Sequence, residues 1–292
     1  MKNTNAFTWE TYAVPKKTSS DGGADGAADG CETFEIRTMK AGRTGARKTW
    51  SAAPVLLDYL SLKDGLKDIK DKNFDDGSLL DMALETNGYG AQHKHSYNIL
   101  ELGDGSGFLS VGLAKSLRSS SDVFTCNAMI MCTDNDQNTM KNMRWNICEN
   151  KESKTISTQK LDWGDDIGGD KFASALERTF KAKNTSHVVG EHNNAIDPIS
   201  LLTHVIGSDI HFGYQTLDPL SSIIAAIKHR NPIAQVIIML KERSENGVAD
   251  LVAEIERKLQ EGNNGRDDQF TVHVRDVVES GVPELKMKLV EC

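Results

Sequence analysis

Apolar residues along this chain switch between two periods, and the switches mark its elements. Tyr97-Asn98-Ile99-Leu100-Glu101-Leu102 is a short, largely apolar run that ends in glycines. Phe108-Leu109-Ser110-Val111-Gly112-Leu113-Ala114 then resumes at helical spacing. The pair predicts strand, turn, helix. Ala128-Met129-Ile130-Met131-Cys132-Thr133 is an unbroken apolar run closed by Asp134, the signature of a strand covered on both faces. Asn135-Asp136 offers a cap for a helix over 137–148, with Met140, Met143 and Ile147 on one face. Further strands are predicted at 156–161, 204–209 and 234–240, with helices at 171–181, 217–229 and 247–259 between and after them. Two successive strands, 270–275 and 285–290, are joined by a turn at Ser280-Gly281-Val282-Pro283.

Strand–helix alternation ending in two adjacent strands predicts an α/β fold. Its sheet is mostly parallel, with an antiparallel hairpin at one edge. Upstream, Phe34-Glu35-Ile36-Arg37-Thr38-Met39 alternates at period two and reads as a strand. A helix follows, capped by Thr49 or Ser51 and apolar through Leu60. Residues 1–33 are expected to be a flexible, low-complexity segment, or a loop between two strands, since Phe7-Thr8-Trp9-Glu10-Thr11-Tyr12 has strand character. Residues 34–292 then form one domain, with a polar stretch at about 165–202 expected to be an insertion. A short helix is expected around 79–84.

Composition narrows the function classes. With 38% hydrophobic and 26% charged residues the chain is an ordinary globular one, and its net charge of -8 argues against a dedicated nucleic-acid binder. The five cysteines are odd in number and form no C-x-x-C pair, as expected of reduced thiols inside a cell. Met1-Lys2-Asn3-Thr4-Asn5 leads into no apolar segment, so no secretory leader is expected. No apolar run approaches the ~18 residues of a membrane span. His93 and His95 lack a partner at ligand spacing, and no metal is expected.

The chemistry-bearing stretch is Glu101-Leu102-Gly103-Asp104-Gly105-Ser106-Gly107. Its G-x-G-x-G spacing differs from the G-x-G-x-x-G of dinucleotide sites. An acid two residues before the first glycine has no evident use beside a pyrophosphate, and suits a cationic cofactor. Asp134 ends the next strand, where a carboxylate can accept two ribose hydroxyls. Leu161-Asp162-Trp163-Gly164 places an acid beside an indole at a third strand end, which suits an adenine ring.

In this order, these signals resemble the seven-β-strand S-adenosylmethionine-dependent methyltransferases. More narrowly they are similar to the methyltransferase-sixteen group, which contains many protein-lysine methyltransferases. Trp50 opening an Ala-rich helix, and Asp209-Ile210-His211-Phe212 followed by a helix, belong to the same resemblance. It implies a Rossmann-like seven-stranded sheet with helices on both faces, and S-adenosyl-L-methionine as cofactor. It further implies that Gly103, Asp104 and Gly105 border the cofactor's methionine portion, with Glu101 near its ammonium. Asp134 would hold the ribose, Asp162 and Trp163 would frame the adenine, Trp50 would close the pocket and Ser208 would lie near the sulfur. Asp209 and Phe212 would be the catalytic acid-x-x-aromatic motif, which often ends in tyrosine, so Phe212 lacks a hydroxyl that Tyr214 stands close to replace. The implied activity is methyl transfer to a lysine of a protein substrate, by a monomer in the cytoplasm or nucleus, away from membranes and nucleic acid. Methylation of histidine, arginine or a small molecule is the alternative, as is a non-catalytic cofactor-binding scaffold.

Overall fold

A computed structural model describes residues 7–14, 32–40, 47–62, 96–119, 127–164, 170–181, 197–242, 247–261, 271–278 and 286–292. Their elements are β1 (Phe7–Ala13), β2 (Thr33–Met39), α1 (Ala52–Leu62), β3 (Ser96–Leu102), α2 (Phe108–Ser119), β4 (Asn127–Asp134), α3 (Gln137–Glu149) and β5 (Ile156–Lys160). There follow α4 (Asp170–Lys181), β6 (His204–Ser208), α5 (Tyr214–Arg230), β7 (Gln235–Lys241), α6 (Val248–Glu261), β8 (His273–Val278) and β9 (Lys286–Glu291).

Seven strands form one sheet in the order β5-β4-β3-β6-β7-β9-β8. The first five are parallel, and β9 pairs antiparallel with both β7 and β8. Alternate residues of the central strands feed two cores. Leu100, Met131, Val205 and Ile238 face α4, α5 and α6. Ile99, Ile130, Ile206 and Ile237 face α1, α2 and α3. A strand covered on both sides must be apolar at every position, which is why these runs do not alternate in sequence.

The strand character at 7–12 is observed as β1, and two expectations are corrected. Residues 7–13 and 33 do not belong to a flexible segment: β1 and β2 pair antiparallel over their full length as a separate two-stranded sheet. Nor is 170–181 part of an insertion. Phe172, Leu176 and Phe180 of α4 are buried against the sheet, as the helical crossover between parallel strands β5 and β6 requires. The helix expected at 79–84, the histidines 93 and 95, the turn at 280–283, and the rest of 15–31 and 182–196 lie outside the described residues.

The chain runs outward from β3 to β5, then returns to the other side of β3 with β6. The order therefore reverses between β3 and β6, and in such sheets ligands bind beyond the carboxyl ends of the strands at that point. Both the glycine turn after β3 and the Asp209 segment after β6 start there.

Candidate functional site

The turn after β3 is built from left-handed glycines. Gly103, Gly105 and Gly107 have φ of 65°, 67° and 86°, a region that L-residues enter only at a steric cost. Two bonds to β4 hold the turn: Asp104 N–H donates to Thr133 O (2.9 Å), and the Thr133 hydroxyl donates to Glu101 O (2.7 Å). α2 begins immediately at Phe108, so the turn lies at a helix N-terminus.

Beneath the turn is a cluster of acids. Glu101 is 1% exposed and accepts a hydrogen bond from the Ser110 hydroxyl on the first turn of α2. Both carboxylate oxygens of Asp104 are shut off from solvent, beside the Glu101 carboxyl, the Cys132 thiol and the Gly107 N–H. The ligand atoms of Glu101, Asp104 and Cys132 lie within 4.8 Å of one another. Burial pushes the Glu101 carboxyl well above its ordinary value, and the Asp104 charge pushes it further. Burial likewise raises Asp104, to about 6, and the Cys132 thiol. Among the described residues no basic side chain makes an ion pair with either acid. Burial without a paired cation favours the neutral, protonated form of both carboxyls.

The neighbouring strand ends complete the site. Asp134 leaves β4 with its carboxyl raised by burial, and its Oδ1 accepts from Asp136 N–H (2.8 Å). Trp163 is half-buried, and a Cβ placed on Gly103 would stand 3.2 Å from its ring edge, so the indole reaches the glycine turn. Asp162 is exposed, and its Oδ1 accepts from Gly164 N–H at 3.2 Å.

Beyond β6, Asp209 adopts φ 52°, one of two non-glycine residues with positive φ among those described. It is 6% exposed. Its N–H donates to Met239 O and its Oδ1 accepts from Lys241 N–H, both at 2.9 Å. The left-handed residue turns the chain so that Ile210 lies back over the glycine turn. His211 is buried, with Nδ1 3.0 Å from the Thr216 hydroxyl, which also donates to Gly213 O (2.9 Å). The segment is thereby locked to the start of α5. Phe212 and Tyr214 then point outward, 54% and 81% exposed, on either side of Gly213, where an added Cβ would meet nothing within 4 Å.

A family model described as lysine methyltransferase matches residues 32–177, half of the chain. The chain belongs to this lysine methyltransferase family. Its cofactor is S-adenosylmethionine. No curated protein matches the sequence. Similar solved structures include the methyltransferase domain of METTL16, at 12% identity and TM-score 0.45 over 84% of this chain and 69% of that one. A human methyltransferase 10 domain containing protein has 11% identity and TM-score 0.44, over 84% and 83%. TrmK of M. capricolum, in complex with S-adenosylhomocysteine, has 11% identity and TM-score 0.38, over 68% and 63%.

Within this methyltransferase, the residues singled out from sequence are not all equally placed. Glu101, Gly103, Asp104, Gly105 and Trp163 come together at the turn, with Asp209 held opposite. Ser208 is half-buried at the end of β6, next to that junction. Trp50 sits half-buried just before α1, with the Lys48 ammonium 4.5 Å above its ring. Ser110, Cys132, Ile210 and Thr216 were not singled out from sequence. Ser110 and Thr216 each occupy the third position of the helix that follows a functional turn, and that spacing was their signal.

Proposed function

We propose that this methyltransferase modifies lysine side chains of a protein substrate. The observation that carries the reading is the pair of exposed aromatic rings, Phe212 and Tyr214, beside an unobstructed glycine at the carboxyl end of β6. Aromatic faces attract an ammonium or a methylated ammonium, and these two flank the segment that leads to the cofactor turn. Rings exposed in this way suit a side chain presented by a macromolecule.

Bound S-adenosylmethionine supplies a methyl group on a sulfonium, already an able leaving group. The protein's part is alignment and exclusion of water, and near-attack positioning can provide roughly 7–11 kcal/mol. In this reading Gly103 and Gly105 border the methionine portion, Glu101 and Asp104 supply negative charge for its ammonium, and Asp134 accepts the ribose hydroxyls. Asp162 and Trp163 frame the adenine, Ser208 lines the wall near the sulfur, and Trp50 covers the pocket. The attacking lysine must be neutral, against a reference pKa of about 10.4. The nearby sulfonium charge favours loss of its proton.

The test is chemical. The purified protein is incubated with methyl-labelled cofactor and cell lysate, and the labelled protein fraction is hydrolysed to amino acids. Nε-methylated lysine is expected. Label in methylhistidine or methylarginine, or confined to small molecules, overturns the lysine assignment.

A further inference from the structure

We propose that Ile210 is a positioning residue that sets the glycine turn, and that the γ-methyl on its branched side does this work. The inference rests on S-adenosylmethionine occupying the turn after β3. Ile210 lies between two glycines of adjacent strands. A Cβ on Gly103 would stand 2.9 Å from its Cγ2, and a Cβ on Gly207 would stand 2.5 Å from its Cδ1. Gly207 is paired in register with Leu102, the residue before Gly103. One side chain, 3% exposed, therefore fills the space that both glycines leave at the junction of β3 and β6.

Its placement is not incidental to packing. Asp209 is held left-handed by two hydrogen bonds to β7, through its own N–H and through its carboxylate. That conformation directs residue 210 back across the strand ends. On the other side, His211, Thr216 and Gly213 fasten the chain to α5 and leave Phe212 and Tyr214 outside. The turn, which would carry the cofactor, and the aromatic rim, which would carry the acceptor, thus share one mechanical element. Asp209 acts through Ile210 and is a positioning residue as well.

The two contacts of Ile210 separate by substitution. Ile210→Val keeps the methyl corresponding to Cγ2 and removes Cδ1. Ile210→Leu conserves volume but has no branch at Cβ, so the contact with Gly103 is lost. S-adenosylhomocysteine affinity is measured by titration calorimetry, and the melting temperature by scanning calorimetry. Wild type is expected to bind. Val should keep its affinity within about twofold while melting lower, and Leu should lose about tenfold with less change in melting. Wild type failing to bind would overturn the cofactor assignment on which the proposal rests. Wild type binding, with the affinity of both variants following only their melting temperatures, would overturn the proposal itself and leave Ile210 as ordinary core.

Discussion

At Gly103 one added carbon meets three obstacles at once. The backbone there is left-handed (φ 65°), the Ile210 methyl would be 2.9 Å away and the Trp163 ring edge 3.2 Å. The conformation costs an L-residue about 1–2 kcal/mol, and overpacking adds about 1–3 kcal/mol. Ile210 cannot retreat freely, because it is also wedged against Gly207. Gly103→Ala is therefore expected to destabilise the fold by roughly 2–5 kcal/mol and to weaken S-adenosylhomocysteine binding by more than about tenfold. Urea unfolding and titration calorimetry read the two effects. A variant with wild-type affinity would show that the turn does not carry the cofactor. The sequence named this glycine from spacing alone, since alternate glycines after an apolar run need few explanations. It could not name Ile210, an ordinary isoleucine whose role depends on β3 and β6 being neighbours.

At the scale of elements, the small β1–β2 sheet is fastened to α3 by polar side chains. Asn146 is fully buried. Its amide donates to Arg37 O (2.9 Å) and to Ser106 O (2.7 Å), and its Oδ1 accepts from Arg37 N–H (2.9 Å). Asn142 accepts from Arg37 Nε (2.9 Å) and donates to Arg37 O (2.8 Å). The Arg37 guanidinium lies 4.1 Å from the Phe7 ring centre and 3.9 Å from that of Trp145. Because Ser106 belongs to the glycine turn, α3 ties the outer sheet to that turn. Asn146→Ala would leave Arg37 N–H and Ser106 O without this partner, at about 1–3 kcal/mol for each buried group. A loss of roughly 2–6 kcal/mol is expected in urea unfolding, together with weaker S-adenosylhomocysteine binding. A change within about 0.5 kcal/mol would show that water replaces the side chain and that the tie is dispensable. None of this was legible from local pattern. Asn142 and Asn146 are polar positions of a helix, and they are buried by a strand more than a hundred residues earlier. The strands and helices were legible because each depends on neighbours in sequence. The polar stretch at 165–202 misled for the same reason: only the sheet shows that α4 completes a crossover.

For the whole molecule, the buried acids link cofactor binding to pH. Asp104 titrates near 6 in the folded protein, raised first by burial, against about 3.9 for an ordinary aspartate. For a carboxyl raised in this way, the stabilising contribution is complete below the unfolded value and is lost as pH rises through the folded one. The unliganded protein should therefore lose stability between about pH 4 and 7 from this group, by a few kcal/mol. Glu101, also raised, first by burial, acts in the same direction. His204 acts in the opposite sense. Burial lowers it to about 4, so its contribution is complete above about 6.5 and is lost as pH falls toward 4. It sits at the amino end of β6, away from the turn, so its effect is the same with and without ligand and cancels in the difference. The ammonium of S-adenosylhomocysteine, placed near ionised Asp104, favours loss of the proton that burial retains. The rise in melting temperature on adding saturating S-adenosylhomocysteine should thus be larger at pH 7.5 than at pH 5.5. Asp104→Asn, which keeps the shape but not the charge, should flatten the difference. An equal rise at both pH values in the wild type would mean that the acids under the turn do not titrate against the ligand. Their burial would then serve the fold alone, and the ammonium would have to be placed elsewhere along the β3–β6 junction.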